Sequence, residues 1–169
     1  MRLAAFDVYY GKGNRASAAA VLFAAYGASE PTGEYTELLP AAAPFVPGEF
    51  YRRELPAILA LLKKFSQTPD EIIVDGYVQL GDRPGLGYHL FAALGRKIPV
   101  IGVAKSRFKG AAGVKVFRGH GTRPLYVTAA GMDEGEAAER IQGMHGAHRI
   151  PTLLKGVDRL AREGVLKSK

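Results

Sequence analysis

The 169-residue chain has no cysteine, which excludes a disulfide framework, a thiolate metal site and a cysteine nucleophile together. An intracellular, cytoplasmic setting is the simplest expectation for such a chain. No stretch approaches the roughly 18–20 apolar residues of a membrane span, and the apolar run ahead of Asp7 is too short for a secretory signal. No membrane partner is therefore expected. Internal repeats, low-complexity tracts and linkers are also missing, so one domain over residues 1–169 is predicted, since about 100–200 residues serve a single core. The glycines of GDRPGLG (81–87) lack the GxGxxG spacing of a dinucleotide loop, and no acidic residue stands at the right distance downstream. Negative charge is the scarcer sign: 16 Asp+Glu stand against 23 Lys+Arg, a formal net charge of +7. That excess favours phosphate-rich partners, although plain solubility would also use it.

What is present alternates between strand and helix patterns. Residues 2–10 and 18–26 are largely apolar and flank the turn chemistry of Gly11-Lys12-Gly13-Asn14, which predicts a hairpin. A third extended piece spans about 33–39, followed by a Pro-punctuated loop (40–48) that carries Phe45. From Glu49 the period becomes helical: Phe50, Glu54, Ile58, Leu61 and Phe65 share one face. Ile72-Ile73-Val74 then forms a buried strand ending at Asp75-Gly76. Further along come a helix over 86–94, a buried strand over 100–103, short strands at 114–117 and 125–128, and helices over 134–144 and 151–162. The prediction is an α/β fold, an antiparallel meander running into βαβ units, with one mixed sheet and flanking helices.

Three acids stand where acids are costly: Asp7 inside the first strand, Glu54 on an apolar helix face and Asp75 at the end of a buried strand. A buried carboxylate needs a cation, a donor or a metal. Each alone is accounted for by a cap or an ion pair, with Arg52 or Arg53 for instance. Together they point to one oxygen-rich site suited to Mg²⁺ or Mn²⁺.

An acid on strand one, another on the first helix and a third on the fourth strand resembles the ribonuclease H-like nucleases. Finer likeness lies in FDVYY (6–10), PFVPGEFYRRELPAILALL (44–62), IIVDG (72–76), IPVIGVAKS (98–106) and, more weakly, TRPLYVTAAG (122–131). These stretches resemble the endonuclease V family, in the same order and with similar spacing. The resemblance implies a metal-dependent endonuclease that nicks DNA near deoxyinosine, the product of adenine deamination, one nucleotide to its 3′ side. It implies Asp7, Glu54 and Asp75 as metal ligands, Lys105 as a lysine beside the scissile phosphate and Phe45 as an aromatic wedge. Gly76 and Gly81 fall in the loop that would form a pocket for the extruded base. The partner implied is DNA, with RNA or single strands also open.

Two stretches depart from the family pattern. Met132 follows Gly131 where a histidine is usual, and a thioether is a poor ligand for Mg²⁺. The loop after Asp75, DGYVQLGDRPGLGYH, is one residue shorter and has Gly81-Asp82 in place of His-Pro; Asp82 suits a turn. Of His89, His120, His145 and His148, only His89 falls near the expected site. Residues 105–124 carry Lys105, Arg107, Lys109, Lys115, Arg118 and Arg123 among glycines, which predicts a strip that tracks phosphates. The competing readings are a nucleic-acid-binding member of weakened catalysis, a nuclease of relaxed specificity, and a nucleotide hydrolase on an α/β sheet.

Overall fold

The computed structural model describes residues 1–39 and 49–167. Strands β1 (Leu3–Tyr10), β2 (Ala16–Phe23) and β3 (Gly33–Leu38) form the meander, and helix α1 (Tyr51–Leu62) follows. Next come β4 (Glu71–Asp75), the short strands β5 (Gln79–Leu80) and β6 (Arg83–Pro84), and α2 (Leu86–Ala93). Strands β7 (Val100–Ala104), β8 (Val114–Val116) and β9 (Leu125–Ala130) precede helices α3 (Glu134–Gln142) and α4 (Thr152–Leu166). Seven strands make one sheet in the order β3-β2-β1-β4-β7-β9-β8. Its centre, β1-β4-β7, is parallel, and its flanks are antiparallel.

The predicted hairpin is present: β1 and β2 pair antiparallel, and the turn between them has Gly13 and Asn14 at φ +68° and +61°. The second strand ends at Phe23, three residues earlier than its apolar run suggests. The β5–β6 hairpin, with Gly81-Asp82 at its turn, was not foreseen in the glycine-rich loop, where two-residue strands leave no period to detect.

Alternation along the strands divides the core. Leu3, Ala5, Val21, Ile73, Ile101, Val103 and Val127 face α3 and α4, whereas Ala4, Phe6, Ile72, Val74 and Val100 face α1 and α2. Helix α1 presents Ala57, Ile58 and Leu61 to the second layer, and full burial of Ile58 or Leu61 contributes roughly 1.5–3 kcal/mol. Phe50 does not join this stripe; it lies ahead of the helix with 45% of its surface exposed. Helix α4 buries Leu153, Val157, Ala161 and Val165, one residue per turn, against β1 and β2. It runs four residues beyond the predicted end at Arg162.

Candidate active site

Parallel pairing delivers the site residues to one edge. Phe6 lies opposite Val74 and Asp75 opposite Val103; Asp75 ends β4, Lys105 follows β7, and Asp7, inside β1 and one residue past its last pairing with β4, stands beside them at this edge, where ligands gather in open α/β sheets. Asp7 and Asp75 share the sheet face of Ala5 and Ile73 and so meet the α4 layer. Glu54 comes from α1 on the opposite face, where its Oε1 accepts a hydrogen bond from the Tyr10 hydroxyl at 2.9 Å.

Asp7 is 7% exposed, and its Oδ1 accepts from the Val8 amide at 2.7 Å. Burial, reinforced by the charge of Asp75, pushes its carboxyl up to about 8 against the pull of Lys105 and the Val8 amide. Burial likewise raises Glu54 to about 7, with the Tyr10 hydrogen bond opposing and Asp75 adding a further push. Asp75 is thus the charge that both buried acids feel. Burial disfavours the Lys105 ammonium, yet Asp75, Asp7 and Asp158 together hold its pKa above the usual lysine range. Lys105 Nζ reaches Asp75 Oδ2 at 3.3 Å.

Asp158 was not foreseen. It projects from α4, one turn after Leu154, which lines a small cavity with Asp7, Asp75 and Lys105. Its charge acts on both Asp7 and Lys105. No local pattern marked it: the buried stripe of α4 is Leu153, Val157, Ala161 and Val165, and Asp158 stands beside that stripe.

This surplus of carboxyl groups over one lysine is the environment in which a hard divalent cation would favour the ionised forms, and the donors are carboxylate oxygens, as Mg²⁺ or Mn²⁺ requires. Among the described residues, however, no three His, Cys, Asp or Glu side chains are drawn together tightly enough to hold an ion. The acids share an edge without forming a finished ligand cage.

A cleft of about 520 Å³ opens beside this edge, bordered by Glu54, Asp75, Gly76, Tyr77, His89 and Phe108. The backbone that shapes it crosses β7 at Gly102, where a Cβ would come within 2.8 Å of the Val78 amide nitrogen and 2.6 Å of the Gly76 carbonyl oxygen. Thr128 Oγ1 accepts from that same Val78 amide at 2.9 Å. Gly76, at φ +111°, is part of the wall. Gly81 is not: it sits at the β5–β6 turn, and a Cβ there would meet the Gly110 carbonyl oxygen at 2.9 Å. His89 stacks on Tyr51 with ring centroids 3.7 Å apart.

The cationic strip divides. Arg107, Lys109, Lys115 and Arg123 are exposed. Arg118 must be removed from it, because it is 5% exposed and its Nη2 donates to the carbonyls of Met144 and Gly146. Met132, which stands where the resemblance expects a histidine, lies away from this edge. Strand β9 runs antiparallel to β7, so Ala130 pairs with Val100 and Tyr126 with Ala104; Gly131 and Met132 therefore leave at the far end of the sheet, where Met132 packs on the core. Phe45 lies outside the described residues.

The sequence model of the family Endonuclease V matches residues 1–138. An endonuclease V of Xanthomonas oryzae pv. oryzae is 38% identical over 110 residues, covering 64% of this chain and 45% of that protein. The chain thus spans less than half the length of that curated relative. The crystal structure of endonuclease V from Streptomyces avermitilis superposes with a TM-score of 0.86 at 26% identity, covering 99% of this chain and 82% of the other. A Ciona intestinalis endonuclease V, solved with a 24mer DNA containing an inosine followed by a ribo-adenosine, shares the fold at a TM-score of 0.81 and 19% identity, over 99% and 87% of the two chains. With its mixed seven-stranded sheet and a family match over most of its length, the chain belongs to the endonuclease V family.

Proposed function

We propose that this protein is a divalent-metal-dependent endonuclease that nicks DNA one nucleotide 3′ to deoxyinosine, in the cytoplasm. The observation that carries this reading is the meeting of Asp7, Asp75 and Lys105 at one strand edge, beside a cleft of the size that holds small ligands. A fold neighbour solved with inosine-containing DNA supports the choice of substrate.

Asp7, Glu54 and Asp75 would hold the metal, with Asp158 as a further acid within electrostatic reach. A bound divalent cation supplies charge that favours a deprotonated water and steadies the departing 3′ oxygen. The chain's own groups do the rest. Lys105, now held by Asp75, turns its ammonium to the phosphate oxygens, whose charge grows as water adds to phosphorus and the bond to the 3′ oxygen breaks. Exposed Arg107, Lys109, Lys115 and Arg123 hold flanking phosphates and fix the register of the strand. The cleft behind Gly76 receives the base, and extrusion is cheapest for a damaged or mispaired one. Because the loop after Asp75 is shortened and Gly81 is withdrawn from the wall, inosine is discriminated less sharply than is usual for the family.

The loose grouping of the acids favours one second reading, a member that binds nucleic acid and turns over weakly. Incubation with inosine-containing and unmodified duplexes, with and without Mg²⁺ or Mn²⁺, separates the two. Metal-dependent nicks beside inosine support the first; retention of DNA without nicks at any metal concentration supports the second.

A further inference from the structure

The connection between α3 and α4 lies beyond the segment matched by the family model. Two arginines bind it to the site's edge. Arg118, just after β8, donates from Nη2 to the Met144 carbonyl at 2.6 Å and the Gly146 carbonyl at 2.9 Å. Next to it Gly119, at φ +69°, lets the backbones approach so closely that a Cβ would lie 3.2 Å from both the Ala147 carbonyl oxygen and the Arg149 nitrogen.

From the connection held in this way, Arg149 reaches back to the catalytic edge. Its Nε donates to the Arg123 carbonyl at 3.0 Å, and its Nη2 to the Pro124 carbonyl at 2.8 Å and to the carbonyl of Lys105. One planar fork thus joins the exit of β7 to the entry of β9. Immediately downstream, the Tyr77 hydroxyl donates to the Ser106 carbonyl at 2.9 Å and accepts from the Phe108 amide at 3.2 Å. Lys105 therefore leaves its strand with its backbone held at two points, which fixes where its side chain starts.

We propose that Arg149 is the positioning residue for Lys105: by fixing the Lys105 carbonyl it aims the ammonium at Asp75 and at the phosphate bound there. The inference rests on the reading of Lys105 as the group that meets the phosphate. A lysine at position 149 does not replace the arginine, because an ammonium lacks the rigid fork that serves several carbonyls in fixed directions.

The test compares Arg149→Ala and Arg149→Lys in wild-type and Lys105→Ala backgrounds, reading single-turnover nicking of an inosine duplex at saturating protein, together with DNA affinity. Arg149→Ala is expected to slow nicking about ten- to hundredfold, the scale of a misplacement near 1 Å, with affinity nearly kept and little recovery in Arg149→Lys. In the Lys105→Ala background the same change adds no further slowing, since both then remove one interaction. Equal slowing in both backgrounds overturns the proposal. Hydrogen exchange provides an arm that needs no activity: Arg149→Ala should speed exchange over residues 105–109 while β1 and β4 stay protected, and unchanged exchange there also overturns it. If Arg149→Ala does not fold, Arg149→Gln carries both comparisons. A wild-type protein that nicks nothing refutes the functional reading instead, and the exchange arm then decides the clasp alone.

Discussion

Lys105 Nζ and Asp75 Oδ2 meet at 3.3 Å across neighbouring parallel strands, with 40% and 39% of their side chains exposed. An ion pair so open to water contributes no more than about 1 kcal/mol to folding, and both partners are accessible to competitors: a cation for Asp75, a phosphate oxygen for Lys105. Asp75→Asn is therefore expected to leave the thermal midpoint nearly unchanged. It should weaken Mg²⁺ or Mn²⁺ binding and slow nicking by orders of magnitude. Calorimetric titration and a nicking time course check the two halves, and intact binding with intact nicking would remove Asp75 from the site.

Lys115 and Arg118 lie three residues apart and should behave as opposites. Lys115→Glu, on the exposed strip, weakens binding to inosine and undamaged duplexes alike and flattens the salt dependence, whose slope is about −0.9 per phosphate contact. Arg118→Ala strands the buried Met144 carbonyl, at about 1–3 kcal/mol, together with the half-buried Gly146 carbonyl. Its signature is a lower midpoint in denaturant with the salt slope preserved.

Met132→His should leave the metal-supported rate where it was, because Met132 stands at the sheet end away from Lys105. A gain in rate would mean that this end approaches the substrate.

Tyr26 donates to Glu71 Oε2 at 2.5 Å, with Arg140 beside both. Burial raises its phenol to about 12, against the opposing pull of Arg140. An acid whose folded pKa exceeds its unfolded value of about 10 stabilises the fold fully below pH 10 and loses that contribution as pH climbs to 12. The loss is on the order of 2 kcal/mol, reduced by the partial exposure of the ring. Melts from pH 8 to 12 should fall less steeply for Tyr26→Phe than for the wild type; parallel curves would sever the link between this phenol and alkaline stability.

Asp75 and Lys105 could be placed together from sequence because a strand's exit residue follows from its apolar run and parallel neighbours share an exit; Asp7 was legible as an acid inside an apolar strand. Glu54 was legible from helical spacing against Ile58 and Leu61. Asp158 was not, because its place depends on how α4 crosses β1 and β2, a tertiary fact without a local pattern. Arg118 looked solvated among glycines; the carbonyls that hold it belong to residues 26 and 28 positions further along. Met132 drew notice only through the resemblance, as the position where a histidine is usual; its apolar run marks a strand but not the direction in which that strand leaves the sheet.

The far end of the sheet, where β7 begins and β9 leaves, holds none of the proposed site residues among those described, and Lys97 is exposed there. Since the chain has no cysteine of its own, Lys97→Cys would introduce a single thiol on the side away from the carboxylates. Coupled through that thiol to a surface or a fluorophore, every molecule would present its carboxylate edge outward in the same orientation.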